Sequence, residues 1–276
     1  MDRIIDEVEL TIFDTETTGL NPFSGDRVVE LAGLRVKAET RIAQFSALIN
    51  PGRSISPEAF AVNKITPEML KAALAPDKVF PDFLKFIQGS CLCSYNAEFD
   101  LNFLNNELKL LGHSAISGFV VLDVLTMARK LLPGLARYPL WFVAEKLGVE
   151  SKQNHRAFSD VEMTWEVFNK LKAICRQRGI TGLSDFSGLF AFNPVLPGAP
   201  DSEKTIFIQK CIQAKGTLTF KYLSSQSGEV SLRQVIPQSL KQDSKCKYLI
   251  GYCCLRNQQR TFRLDNILSF ETPDKI

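Results

Sequence analysis

Between residues 8 and 175, β-rich runs alternate with stretches whose apolar residues recur at helical spacing, and few architectures accommodate that order. VELTIFDTE, RVVELAGLRV, RIAQFSALIN and the shorter SCLCSY read as strands punctuated by Gly, Pro, Asn and Asp. Residues 79–88 place Val79, Phe80, Phe83, Phe86 and Ile87 on one helical face, and 98–111 do the same with Phe99, Phe103, Leu104, Leu108 and Leu111. Further helices are predicted at 122–131, 139–147 and 158–175. The order predicts an α/β fold with a mixed sheet flanked by helices.

The alternation stops at 179–203, where GITGLSDFSGLFAFNPVLPGAPDSE holds four Gly and three Pro. That composition predicts a linker, although Leu189, Phe190 and Phe192 form an apolar patch suited to packing. From 204 a helix (KTIFIQKCIQA) precedes LTFKYL, EVSLRQVIP, KYLIGYCCL, QRTFRL and ILSFE, a small, mostly β unit. The expected organisation is a first domain at 1–178, a linker at 179–203 and a second domain at 204–276.

Composition narrows the class. With 45% hydrophobic residues among 276, a core can form without disulfides, and seven cysteines, an odd count, suit a reducing compartment. Cys91-x-Cys93 has no second pair at zinc-like spacing and is expected as buried free thiols. No apolar run reaches the roughly 18 residues of a membrane helix, and MDRIIDEVEL lacks an apolar signal core. A soluble, cytoplasmic protein without membrane contact is expected. Residues 203–276 hold 12 Lys and Arg against 6 Asp and Glu, a net of +6, which leaves −3 for residues 1–202. A basic tail on an acidic front hints at polyanion binding.

Three segments carry acids where chemistry would use them. Asp14 and Glu16 end the first strand, and alternation points both carboxylates the same way. Such a pair repels unless a cation lies between, and hard oxygen donors suit Mg²⁺ or Mn²⁺. Roughly one D-x-E is expected by chance in a chain of this length, so the pair alone is a weak signal. Asp100 lies in the first turn of the 98–111 helix among apolar neighbours. In HRAFSDVEMTWEVF, His155 precedes a helix whose first turn carries Asp160; the other histidine, His113, sits in a Gly-Ser loop and is expected at the surface.

Together, in this order and at these separations, the segments resemble the motifs of the DEDDh 3′-to-5′ exonucleases, the family of the DNA polymerase III epsilon subunit and ribonuclease T. The resemblance runs from about 8 to 175 and includes AVNKITPEML, LDVLTMARKLLPG and LGVESKQNHRA. It implies a ribonuclease H-like sheet and two divalent cations, Mg²⁺ or Mn²⁺. It also implies cation ligands at Asp14, Glu16, Asp100 and Asp160, and a general base at His155. A substrate site at Thr17, Leu20, Asn96, Phe99 and Phe103 follows from the same likeness. The implied substrate is the 3′ end of a single strand, DNA before RNA, cut to nucleoside 5′-monophosphates in proofreading, repair or processing. Tyr95 stands where many relatives have histidine. The chemistry agrees: phosphodiester hydrolysis needs a nucleophile at neutral pH and charge neutralisation at phosphate, and an imidazole can take a proton near neutrality.

Residues 204–274 resemble a WYL domain through KYL (247–249), SLRQVIP with Arg233, and QRTFRLDNI with Arg260 and Arg263; Lys247 replaces the naming Trp, beside Tyr248 and Leu249. The likeness implies binding of nucleic acid or a small ligand by Arg233, Tyr248, Arg260 and Arg263. A homodimer stays open, as do an exoribonuclease and a ligand-sensing regulator whose exonuclease fold does not turn over.

Overall fold

The computed structural model describes residues 2–150, 155–192, 203–243 and 246–271. The apolar run before Asp14 forms β1 (Glu9–Thr17), which lies at the centre of a five-stranded sheet. β2 (Val28–Lys37) and β3 (Thr40–Leu48) follow as an antiparallel meander, whereas β4 (Cys91–Ser94) and β5 (Val121–Asp123) run parallel to β1. The strand order β3-β2-β1-β4-β5 is the expected mixed sheet. Parallel neighbours need crossover helices, and the chain supplies them.

Alternation along β1 decides which helix packs where. Phe13 points to the face covered by α3 (Pro76–Phe86) and α4 (Ala97–Leu110), against Phe80, Phe83, Phe103 and Leu104. Leu10 and Ile12 point to the other face, toward α5 (Val124–Leu131), α6 (Leu140–Lys146) and α7 (Ala157–Gln177). Two short helices, α1 (Pro57–Asn63) and α2 (Pro67–Lys71), follow β3, each capped by a Ser or Thr side chain and opened by Pro.

The expected linker is corrected over its first half. Residues 183–190 form α8 (Leu183–Phe190), and Phe186, Leu189 and Phe190 are buried in the core that contains α7. Apolar burial overrides the glycines, because Phe186 stacks edge-on against Phe190 and near Phe168. Phe192 hydrogen-bonds through its backbone to Val121, beyond the edge of the sheet. Residues 193–202 lie outside the described residues.

The second unit has α9 (Glu203–Gln213) against an all-antiparallel sheet: β6 (Leu218–Leu223), β7 (Val230–Gln242), β8 (Lys247–Cys253), β9 (Gln258–Arg263) and β10 (Ile267–Glu271). Their order is β10-β6-β7-β8-β9, around a core of Ile208, Phe220, Val235, Leu249, Phe262 and Ile267. The units touch through charges: the Lys130 ammonium donates to the Asp265 carboxylate at 3.2 Å and Arg178 to Glu229 at 3.2 Å. All seven cysteines are free thiols, with Cys91 and Cys93 buried. No helix among the described residues is long and apolar enough to cross a membrane.

Candidate active site

The two faces of β1 explain which acids meet. Asp14 and Glu16 continue the side of Leu10 and Ile12, so they face α7, and Asp160 in the first turn of α7 joins them. One carboxylate oxygen from each of the three lies within 4.8 Å of the others. Asp14 and Glu16 are half-buried and Asp160 is buried. Burial, and then the charges of Asp100, Glu16 and Asp160, push the Asp14 carboxyl well above the carboxylate range. Glu16 is pushed up to about 8 by burial and by Asp160, Glu30 and Asp100, with Arg156 opposing. Crowded hard oxygens whose negative charge is under-compensated are what a divalent cation fits.

Asp100 belongs to α4 and arrives from the opposite face, so it is not part of that trio. Its Oδ1 accepts from the Thr15 amide at 3.0 Å and the Thr15 hydroxyl at 2.7 Å, and its Oδ2 from the Ser94 hydroxyl at 2.6 Å. These bonds limit the rise caused by burial, leaving the carboxyl at about 6. It remains close enough to raise Asp14. His155 sits half-buried in the bend before α7, with a left-handed φ of 49°.

Two groups were not anticipated. Glu30, opposite Glu16 in the β1–β2 register, is 3% exposed and takes the Arg156 guanidinium on both oxygens. Asp123 caps α5 and accepts from the Asn96 amide at 3.3 Å, which fixes the entry to α4. An acid inside the apolar run RVVELAGLRV was the signal for Glu30, since a buried carboxylate demands a partner.

The expected substrate residues spread around this end of the sheet. Leu20 is 83% exposed, and Asn96, left-handed at φ 70°, is exposed at the start of α4. Thr17 is buried and its hydroxyl donates to the Gly19 carbonyl at 2.6 Å. The loop that presents Leu20 is tightly drawn: a Cβ on Gly19 would meet Asp26 Oδ2 at 2.3 Å. Phe99 is half-buried against Phe103, with ring centroids 4.9 Å apart. Phe103 is corrected as a lining residue, because it is fully buried in the α3–α4 core and only backs Phe99. The Tyr95 hydroxyl donates to the Tyr138 carbonyl at 2.5 Å, so it braces the fold.

In the second unit, Arg233, Tyr248, Arg260 and Arg263 line one cavity of about 300 Å³, with Ser224, Ser225 and Gln226. Arg263 is paired with Asp265, whose carboxyl is held down at about 2: burial pushes it up, but Arg263 and Lys130 outweigh that. Arg233 Nε and Nη1 are buried without a hydrogen-bond partner among the described residues.

A carboxylate trio at the end of a central strand, on a mixed sheet of this order, marks a nuclease. Comparison specifies which: residues 11–168 match the family described as Exonuclease, of the RNase T type, and residues 207–272 match the WYL domain. The chain belongs to that exonuclease family and carries a WYL domain at its C-terminal end. It is 38% identical to the DNA polymerase III subunit epsilon of Treponema pallidum over 170 residues, covering 61% of this chain and 78% of that protein. It is 29% identical over 254 residues to the DNA polymerase III PolC-type of Staphylococcus haemolyticus, covering 92% of this chain but 17% of the polymerase. The nuclease domain of 3′hExo, a DEDDh family member solved bound to rAMP, shares the fold at a TM-score of 0.53 and 16% identity, covering 65% of this chain and 96% of that one.

Proposed function

We propose that this exonuclease removes nucleotides singly from the 3′ end of single-stranded DNA, releasing nucleoside 5′-monophosphates, with RNA as the alternative substrate. The observation that carries the reading is the approach of Asp14, Glu16 and Asp160 oxygens to within 4.8 Å of one another. These three would hold one divalent cation, and Asp14 with Asp100 a second. Bound there, Mg²⁺ or Mn²⁺ supplies a water of lowered pKa and counter-charge for the phosphate.

The chain's own residues supply the rest. His155 takes the proton of the attacking water as its oxygen joins phosphorus, the P–O3′ bond breaks, and the 3′ oxygen of the shortened strand regains a proton. Leu20 and Phe99 offer apolar surface to the last base, and Thr17 and Asn96 offer polar contacts to its sugar and phosphate. Glu30 holds Arg156, which keeps His155 and Asp160 in register. The C-terminal Arg233, Tyr248, Arg260 and Arg263 bind an anionic ligand or nucleic acid, a reading supported by the unpartnered Arg233 nitrogens. We place the end of the first domain near 192, after α8, and the start of the second near 204, and the protein in the cytoplasm.

The test uses 5′-labelled single-stranded DNA and RNA of equal sequence with Mg²⁺, Mn²⁺ or EDTA, and the Asp14→Ala variant alongside. A metal-dependent ladder shortening from the 3′ end, absent in the variant, is the expected result. No ladder with either strand under any metal would reject the proposal.

A further inference from the structure

The C-terminal cavity does not stand apart from the exonuclease unit. A second cavity of about 290 Å³ lies between the units, lined by Thr126, Arg129 and Lys130 of one and by Ser225, Arg263 and Asn266 of the other. Ser225 and Arg263 also line the Arg233–Arg260 cavity, so the two hollows share a wall.

From that junction a short piece of chain leads back to the catalytic end of the sheet. The 225–228 turn sits directly on the end of α5: a Cβ on Gly228 would lie 2.8 Å from the Leu131 carbonyl and 3.1 Å from Pro133 Cδ. Five residues beyond Pro133, Tyr138 donates its hydroxyl to the Leu132 carbonyl at 2.9 Å, and its backbone carbonyl accepts from the Tyr95 hydroxyl at 2.5 Å. Tyr95 immediately follows Ser94, the residue that holds Asp100. Burial raises the Tyr95 hydroxyl, and Arg129 is near enough to oppose the rise.

What this stretch shows to solvent is specific in kind. Arg129, Arg137 and Trp141 are exposed. The Arg137 guanidinium lies 4.6 Å from the Trp141 ring and 5.1 Å from Phe142, and Lys146 lies 5.2 Å from Phe142. Cations interleaved with aromatic faces are how sequence-indifferent single-strand binding is built, phosphates meeting the charges and bases stacking on the rings.

We propose that the body of a single strand, its 3′ end at the carboxylates, crosses this stretch by way of Trp141 and Arg129 and is gripped in the Arg233–Arg260–Arg263 cavity. The inference rests on the exonuclease reading above. It makes the WYL domain the rear grip of one continuous track, not a separate sensor. A strand long enough to reach the cavity is held at two points, so its dissociation slows while its end is trimmed.

The test is binding and turnover as a function of strand length. Trp141 is the exposed one of the chain's two tryptophans, since Trp165 is 7% exposed. Titrating the Asp14→Ala protein with single strands of increasing length is expected to quench Trp141, with affinity climbing until the strand is long enough to reach the C-terminal cavity and levelling off beyond that. Adding Arg260→Ala is expected to lower the ratio of long-strand to short-strand affinity about tenfold and to flatten the salt slope by about 0.7. In the otherwise wild-type enzyme the same substitution lowers the corresponding ratio of kcat/KM. A matching thermal midpoint for the Arg260→Ala protein shows that folding is intact. Cleavage that proceeds with no length dependence, no quenching and no effect of Arg260→Ala would overturn the track and leave the exonuclease reading standing. Absence of both cleavage and binding at every length would overturn the two together.

Discussion

Arg156 grips Glu30 with two prongs beside the carboxylate trio: Nη2 donates to Oε1 at 2.6 Å and Nε to Oε2 at 3.0 Å. The Ala157 amide, at the first residue of α7, donates to the same Oε2 at 3.0 Å. One buried acid on β2 therefore satisfies a helix N-terminus and fastens it to the sheet. His155 lies just before that anchor and Asp160 one turn after it. Arg27 and Glu107 repeat the device on the other face, with bonds of 2.7 and 2.6 Å and a third from the Val28 amide.

Arg156→Ala leaves Glu30 buried with only the Ala157 amide. Its side chain is 4% exposed and that of Arg156 42%, so solvent softens the loss. The expected cost is about 2 kcal/mol of stability, read as a lower urea midpoint. Because the anchor positions α7, kcat is expected to fall further than this stability loss explains, with KM changed less. Unaltered kcat in a destabilised protein would show that the pair is structural only.

Asp14 repels Glu16, Asp160 and Asp100 in the metal-free protein, so its removal relieves strain. Asp14→Asn is expected to raise the metal-free thermal midpoint while lowering activity at least about 10³-fold. It also abolishes most of the midpoint gain on adding Mg²⁺ or Mn²⁺, because ligand binding stabilises only where the ligand binds. Thermal scans with EDTA and with metal separate the two effects. A variant that still gains the full metal-induced shift would place the cation elsewhere.

The carboxylates also set a pH dependence with a definite sign. Glu16 is raised from its ordinary value near 4.5 to about 8 in the fold. A raised acid favours the folded state while it is protonated, so this contribution is complete below pH 4.5 and is lost as pH climbs to about 8. Asp100, raised to about 6, acts in the same direction over a lower window. These groups therefore make the metal-free protein less stable at pH 8 than at pH 6. Cation binding must displace those protons, so apparent metal affinity rises across the same interval, up to about tenfold per pH unit for each proton displaced. Metal titrations followed by thermal midpoint at pH 6, 7 and 8 check both slopes, and a metal affinity that is flat with pH would contradict the assignment of ligands.

Much of this was legible in the sequence, for a physical reason. Period-two alternation along β1 put Asp14 and Glu16 on one side without any structure, and 3.6-residue spacing located α3 to α7. Arg233, Tyr248, Arg260 and Arg263 come from three different strands or their ends, yet they line one cavity. What escaped were elements too short to show a period. The α1 and α2 helices span 7 and 5 residues, and their only signals are Ser56-Pro57 and Thr66-Pro67, a side-chain cap followed by Pro at the first helical position. Helical spacing put Phe103 on the apolar face of α4, where it lies; the family likeness misplaced it, because a likeness of motifs cannot distinguish a residue that lines a pocket from one that backs it.

The α8 helix was hidden by the glycines and prolines around it, and it yields the last prediction. Phe186 and Phe190 are fully buried in the same core as Phe168 and Leu171 of α7. A chain ended at 178 exposes the surface they cover, whereas a chain ended at 192 retains it. The Phe186→Ala substitution in the full chain is expected to cost about 3 kcal/mol, a fall of roughly 6 to 12 °C in thermal midpoint for a domain of this size. The shorter fragment should melt lower still than the longer one, which loses only the WYL domain and its ion pairs. Equal midpoints for the two fragments would mean that α8 belongs to the second unit and lends the first nothing. The contacts argue otherwise: α8 lies against α5, β5 and β10 at once, so it is the wedge through which the WYL domain is seated on the nuclease core.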